Sequence, residues 1–167
     1  MIGYAGRITP WKGLKEIAEC CYELGYKVKF MGHQDKVDYW NTISEEAKSV
    51  IDFEYMDCTD AERLDYYRSL TCYVGNSEDG LEEGTLEYLE AMACGVPVIT
   101  TPSGIARELA VNDENCLLVP FNDKDALKVA IKRMVEDKEL RQKCREKAWE
   151  VVNPRIVTGK QIGRAHV

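Results

Sequence analysis

The sequence predicts an α/β domain built on a doubly wound parallel sheet with helices on both faces. Three observations point there. Short apolar runs that end in glycine recur, as at Ile2-Gly-Tyr-Ala-Gly6 and Thr71-Cys-Tyr-Val-Gly75. Segments of helical period, about 10–15 residues long, alternate with such runs, which is the pattern of β-α-β units. The chain has 167 residues, enough for one sizeable core.

Taken in order, Ile2 to Gly6 reads as a buried strand running into a turn, and Arg7 to Gly13 as a loop. Leu14 to Leu24 is an amphipathic helix with Gly25 as its C-terminal stop. Tyr26 to Met31 alternates like a strand, Val37 to Ser49 has helical period, and Val50 to Tyr55 is again strand-like. Asp60 to Leu70 is a helix that Thr59 or Asp60 can cap. Thr71 to Gly75 is the next strand. Val96 to Thr100 and Cys116 to Val119 are two more, with a short helix near Ile105 to Ala110 between them. Asp123 to Val135 and Lys138 to Val152 close the pattern as helices. The domain is therefore placed at 1–152, with 153–167 as an irregular tail. Within that tail, Ile162-Gly-Arg-Ala-His-Val167 matches a reading frame of a common sequencing-library adapter, so a fragmentary gene with a lost natural C-terminus is expected.

Composition narrows the function. The net charge of −7, without a basic stripe, argues against a nucleic-acid partner. No apolar run approaches the ~20 residues that span a bilayer, and no signal peptide is evident. The seven cysteines (Cys20, Cys21, Cys58, Cys72, Cys94, Cys116, Cys144) are odd in number and form no C-x-x-C, so they read as reduced core residues of a cytoplasmic protein. Two histidines make a zinc site or a Ser-His-Asp triad improbable.

Chemistry concentrates between Gly80 and Gly104. Helical period places Leu86, Leu89 and Ala93 on one face, and Glu90 lies about 40° of rotation from Leu86, at the edge of that stripe. Leu86, Glu87, Ala93 and Cys94 fill its three- and four-residue neighbours, so the helix itself offers Glu90 no cation. A half-buried carboxylate needs hydrogen-bonding partners. Glu82 precedes the helix, so both carboxylates can face one cleft, where vicinal hydroxyls of a ribose or hexose suit them. An acidic helix start favoured by the helix dipole is the plainer reading of the same residues. Gly6-Arg7 and Lys12-Gly13 form a second cluster, two cations on a glycine-bearing turn before a helix, which suits a diphosphate; solvated surface cations are the plainer reading here. The glycines make neither G-x-G-x-x-G nor G-x-x-x-x-G-K-[ST], which removes the dinucleotide dehydrogenase and P-loop readings.

The run Glu82-Glu-Gly-Thr-Leu-Glu-Tyr-Leu-Glu-Ala-Met-Ala-Cys-Gly-Val-Pro-Val-Ile-Thr100 resembles the E-x7-E signature of retaining family-4 glycosyltransferases with the GT-B fold. Gly6-Arg-Ile-Thr-Pro-Trp-Lys-Gly13 is similar to that family's G-R-x-x-x-x-K-G segment. Thr100-Thr-Pro-Ser-Gly-Ile-Ala-Arg-Glu108 resembles its T-x-x-G-G-x-x-E turn, with Ser103 in place of the first glycine and Arg107 as an apparent insertion. The order around Gly80 to Gly84 also departs from the usual E-G, although the step from Glu82 to Glu90 is intact. The resemblance covers about the first 150 residues and implies a Rossmann-like sheet, the C-terminal half of a GT-B fold.

The resemblance also implies roles. Arg7 and Lys12 would neutralise the donor diphosphate and stabilise its departure, and Glu82 would orient the sugar; these three are the expected catalytic residues. Gly6, Gly84, Thr85, Leu86, Glu90, Ser103 and Gly104 would line the donor site, with Glu90 on the ribose hydroxyls. Tyr55 and Met56 would lie near the base. Trp11 and Trp149 are expected to be packing residues. No metal and no cofactor are expected, only a nucleotide-diphosphate-sugar donor, in the service of glycan biosynthesis. The partner implied is a missing N-terminal acceptor domain, which would also carry any peripheral membrane contact, and the fragment alone would transfer nothing. Two other functions stay open: a stand-alone, non-catalytic nucleotide-sugar-binding module, and a sugar-nucleotide 2-epimerase of the same fold.

Overall fold

The structure is a computed structural model that describes residues 1–33, 37–55, 58–81 and 86–157, with side chains described except at 37, 55 and 154–157. Six parallel strands make one sheet: β1 (Ile2–Ala5), β2 (Val28–Gly32), β3 (Ile51–Tyr55), β4 (Cys72–Gly75), β5 (Val98–Thr100) and β6 (Leu117–Leu118). Their order across the sheet is β3-β2-β1-β4-β5-β6. The first three strands are laid down one way from β1 and the last three the other way, so the order reverses between β1 and β4. In such sheets a crevice opens at that reversal, beyond the strands' C-terminal ends.

Strand residues alternate between two cores, as a period of two requires. Ile2, Val28, Phe30, Cys72, Val74 and Ile99 face one side with Ile17, Ile131 and Met134 of helices α1 (Leu14–Leu24) and α7 (Lys124–Glu136). Ala5, Met31, Tyr73, Val98 and Cys116 face the other, against helices α4 (Asp60–Arg68), α5 (Leu86–Ala93) and α8 (Lys138–Val157). The doubly wound expectation therefore holds.

Most elements lie where the sequence places them, and α1 does so at both ends, because Gly25 at φ 72° takes the left-handed position that stops it. Three differ. The helix expected over Val37 to Ser49 is two short ones, α2 (Val37–Trp40) and α3 (Glu45–Lys48). Local side-chain bonds break it: Thr42 Oγ1 donates to the Tyr39 carbonyl at 2.7 Å, and the Ser44 hydroxyl caps α3 by accepting from the Ala47 amide at 3.2 Å. The helix near Ile105 is one turn, α6 (Ala106–Leu109). The last helix runs past Asn153-Pro154 to Val157.

All seven cysteines are free thiols; five are buried, while Cys58 and Cys94 are half-buried. No helix of the described residues is long and apolar enough to cross a membrane.

Candidate functional site

Three loops leave the C-terminal ends of β1 and β4, the strands that flank the reversal, and of β5 beside them. The first, after β1, carries Gly6, Arg7, Lys12 and Gly13. Arg7 is exposed, whereas Lys12 is only 3% exposed, held in a short 3-10 turn at Pro10–Lys12. The loop is secured from below at several points. The Gly6 amide donates to the Met31 carbonyl at 2.9 Å and the Ile8 amide to His33 at 3.1 Å. The Tyr4 hydroxyl donates to the Arg7 carbonyl at 2.8 Å, and Tyr73, buried beside it, donates to the Ala5 carbonyl at 3.2 Å. At the end of β2, a Cβ on Gly32 would collide with the Gly6 carbonyl oxygen, so only glycine lets the two backbones approach this closely. The cations are thus presented by a backbone with little freedom to move.

Glu90 sits on α5 with its side chain 25% exposed. Its own helix offers it no cation, as expected, but a neighbouring one does: Arg63 Nη1 of α4 lies 3.5 Å from Glu90 Oε1. The Tyr67 hydroxyl, also on α4, donates to Glu90 Oε2 at 3.0 Å and lies 3.3 Å from the Glu87 carbonyl oxygen. Burial, and after it the Glu90 carboxylate, pushes the Tyr67 hydroxyl well above the ordinary phenol range, so it stays a donor. Arg63 lies beside the Cys58 thiol, and its Nε is buried with no hydrogen-bond partner among the described residues. One turn before Glu90, the Glu87 carboxylate reaches over the first loop, 3.1 Å from where a Cβ on Gly6 would stand.

The third loop follows β5. Thr101 Oγ1 donates to the Ser77 carbonyl at 2.6 Å, so the 3.0 Å contact between Thr101 and Ser103 hydroxyls has Ser103 as donor. Ser103 is buried and spends its proton inside the loop, which leaves its oxygen as an acceptor only. Gly104 follows at φ 51° and opens the turn into α6. Arg107, the apparent insertion, pairs with Asp79 at 3.0 Å and so ties this turn to the loop after β4.

The structure therefore brings Gly6, Arg7, Lys12, Leu86, Glu90, Ser103 and Gly104 to one edge of the sheet. Glu82, Gly84, Thr85 and Met56 lie outside the described residues, as does the side chain of Tyr55, whose backbone ends β3 at the sheet's far edge. Trp149 is 47% exposed on α8, so the expectation that it packs is corrected: its position on the helix faces solvent. Arg63, Tyr67, Glu87 and Asn76 were not singled out from sequence. Asn76 is buried, and its amide donates to the Gly13 carbonyl at 3.3 Å. A small polar pair, Asn76-Ser77, directly after a strand was the signal available for it. Among the described residues no group of three His, Cys, Asp or Glu side chains is placed to hold a metal ion.

An α/β sheet of this order carries its cations, carboxylate helix and small-residue turn at the strand-order reversal, where open sheets of this class hold their ligands. Comparison with known proteins narrows the class: residues 1–151 match the family "Glycosyl transferases group 1", and the chain belongs to it. The C-terminal domain of a group 1 glycosyl transferase (LpcC) from Francisella tularensis is 26% identical and superposes with a TM-score of 0.81, over 93% of this chain and 85% of that one. Anabaena Alr3699/HepE, solved in complex with UDP-glucose, gives a TM-score of 0.81 at 20% identity, covering 96% of this chain and 46% of that one. An exopolysaccharide phosphotransferase, SCO2592 of Streptomyces coelicolor, is 42% identical over a 79-residue match that covers 44% of this chain and 8% of that protein. The fold is that of the C-terminal half of a GT-B glycosyltransferase, and the chain spans less than half the length of HepE.

Proposed function

We propose that this chain is the donor-binding half of a retaining glycosyltransferase that takes its sugar from a nucleotide-diphosphate sugar, with residues 1–152 as the binding unit. The observation that carries the reading is the convergence of the Arg7/Lys12 loop and the Glu90 helix at the point where the strand order reverses. The UDP-glucose held by HepE supports the same ligand class. In this reading Arg7 and Lys12 offset the diphosphate charge as the glycosidic bond breaks, an electrostatic contribution to the transition state that needs no metal. Glu82 orients the sugar ring, Glu90 takes the ribose hydroxyls, and Tyr55 and Met56 lie toward the base. The acceptor binds to a separate N-terminal half, and this half alone binds donor without transferring it. The reduced thiols fit a cytoplasmic setting.

The test is a calorimetric titration with a panel of nucleoside diphosphates and their sugars, repeated with Arg7→Ala and Glu90→Ala. Diphosphate-dependent binding that each substitution weakens by about 1.5–3 kcal/mol, the worth of a hydrogen bond to a charged group, supports the reading. Where a folded chain binds none, the titration is repeated with an N-terminal half joined. Silence there sinks the donor assignment.

A further inference from the structure

The two oxygens of Glu90 are held by two different residues of one neighbouring helix. Arg63 and Tyr67 are four residues apart on α4, so they share a face, and that face meets α5. Tyr67 engages Oε2 and Arg63 approaches Oε1. The terminal torsion of a glutamate is otherwise broad, so a carboxylate anchored at one oxygen, or at none, samples many planes. Anchoring each oxygen separately fixes the plane. It also leaves a remainder: a carboxylate oxygen accepts at two lone pairs, so one on each oxygen stays open, and solvent reaches a quarter of the side chain.

Two parallel acceptors on one rigid group match a cis-vicinal diol. We propose that Arg63 and Tyr67 are positioning residues that set Glu90 to read the 2′- and 3′-hydroxyls of the nucleotide ribose together, so that the site selects ribo- over 2′-deoxyribonucleotides. This rests on the donor reading above and adds a selectivity and the two residues that produce it. Neither residue touches the ligand. Tyr67 is 1% exposed and acts only through its hydroxyl. Arg63 acts through the charge of its guanidinium, whose Nη1 lies 3.5 Å from Glu90 Oε1.

The experiment is a titration of the 167-residue chain with the four ribonucleoside diphosphates and their 2′-deoxy counterparts, in the wild type, Tyr67→Phe, Arg63→Gln and Arg63→Lys. Tyr67→Phe keeps the ring and removes one oxygen, and thermal unfolding verifies that each variant is folded. In the wild type the ribo form of the preferred base should bind about ten- to a hundredfold tighter, the loss of one hydrogen bond to a charged acceptor. Tyr67→Phe and Arg63→Gln should shrink that ratio at least threefold by weakening the ribo form more than the 2′-deoxy form, which keeps only its 3′-hydroxyl contact, and Arg63→Lys should recover part of it. An unchanged ratio in folded Tyr67→Phe overturns the proposal. So does a ratio that rises in Arg63→Gln, which would make Arg63 a competitor for the carboxylate. Wild-type binding without ribo preference overturns the proposal and leaves the donor reading standing. No binding at all, with or without an N-terminal half, overturns both.

Discussion

The side-chain amide of Asn76 holds the carbonyl oxygen of Gly13 at 3.3 Å, so the exit of β4 grips the turn where the cation loop becomes α1. That contact couples two of the three loops at the sheet's ligand edge, and it leaves no room for a side chain at residue 13.

Gly13→Ala tests the grip. Gly13 has φ 59°, and an added Cβ would lie 2.6 Å from the Asn76 carbonyl oxygen, a backbone atom that cannot turn aside. The substitution should cost about 1–3 kcal/mol in denaturant unfolding, with diphosphate affinity reduced as well. Full stability in the alanine variant would mean that the turn relaxes freely.

Tyr4→Phe tests the support beneath Arg7. The lost hydroxyl leaves the Arg7 carbonyl without its 2.8 Å donor. A stability loss of about 1 kcal/mol is expected, together with several-fold weaker diphosphate binding, both read from unfolding and titration of the same sample.

Thr59→Ala tests the helix that carries Arg63 and Tyr67. Thr59 forms a capping box with Glu62: its hydroxyl accepts from the Glu62 amide at 3.3 Å, and its own amide donates to Glu62 Oε2 at 2.7 Å. Removing the cap should cost about 1 kcal/mol, and Thr59→Ser should restore most of it. The hydrogen bonds from the Thr59 amide and hydroxyl hold the Glu62 carboxyl below the usual carboxylate range. A lowered folded-state value means its contribution is present above the ordinary carboxylate pKa and is lost as pH falls through the depressed one. The stability gap between wild type and Glu62→Gln should therefore close in acid.

The thiols should react in two classes. Burial pushes Cys20, Cys72 and Cys116 up to about 12 and Cys144 to about 11 from an ordinary 9.0, whereas Cys58 and Cys94 are half-buried. An aromatic disulfide reagent at neutral pH should modify Cys58 and Cys94 first, with the other five appearing only on unfolding. Raised values mean that this stability is whole below pH 9 and is lost as pH rises from there through 11–12, so alkaline unfolding should begin in that window.

Sequence patterns carried far into this fold where a single chain segment decides the outcome. The apolar stripe and Gly25 define α1 without help from the rest of the molecule. The Val37 to Ser49 region was misjudged because Thr42 and Ser44 turn their hydroxyls on nearby backbone, a local choice that periodicity does not register. Glu90 was legible as a carboxylate at the margin of an apolar face. Its partners were not, since Arg63 lies 27 residues earlier and meets it only after α4 and α5 pack on the same side of the sheet. Trp149 shows the opposite error, a large ring that composition favours inside and the helix turns outward.

The central strand β1 precedes the other five strands of its sheet along the chain, and this gives the fold a history in time. Its Ile2-Gly-Tyr-Ala5 backbone pairs with β2 on one edge and β4 on the other, yet Cys72–Gly75 follows it by some seventy residues. At about 5–20 residues per second, several seconds of translation separate the two pairings. Until then β1, buried along its whole length in the fold, offers an open ladder to any extended segment nearby. Slowing folding, or truncating the gene before β4, should therefore favour aggregation through the very strand that later supports the cation loop.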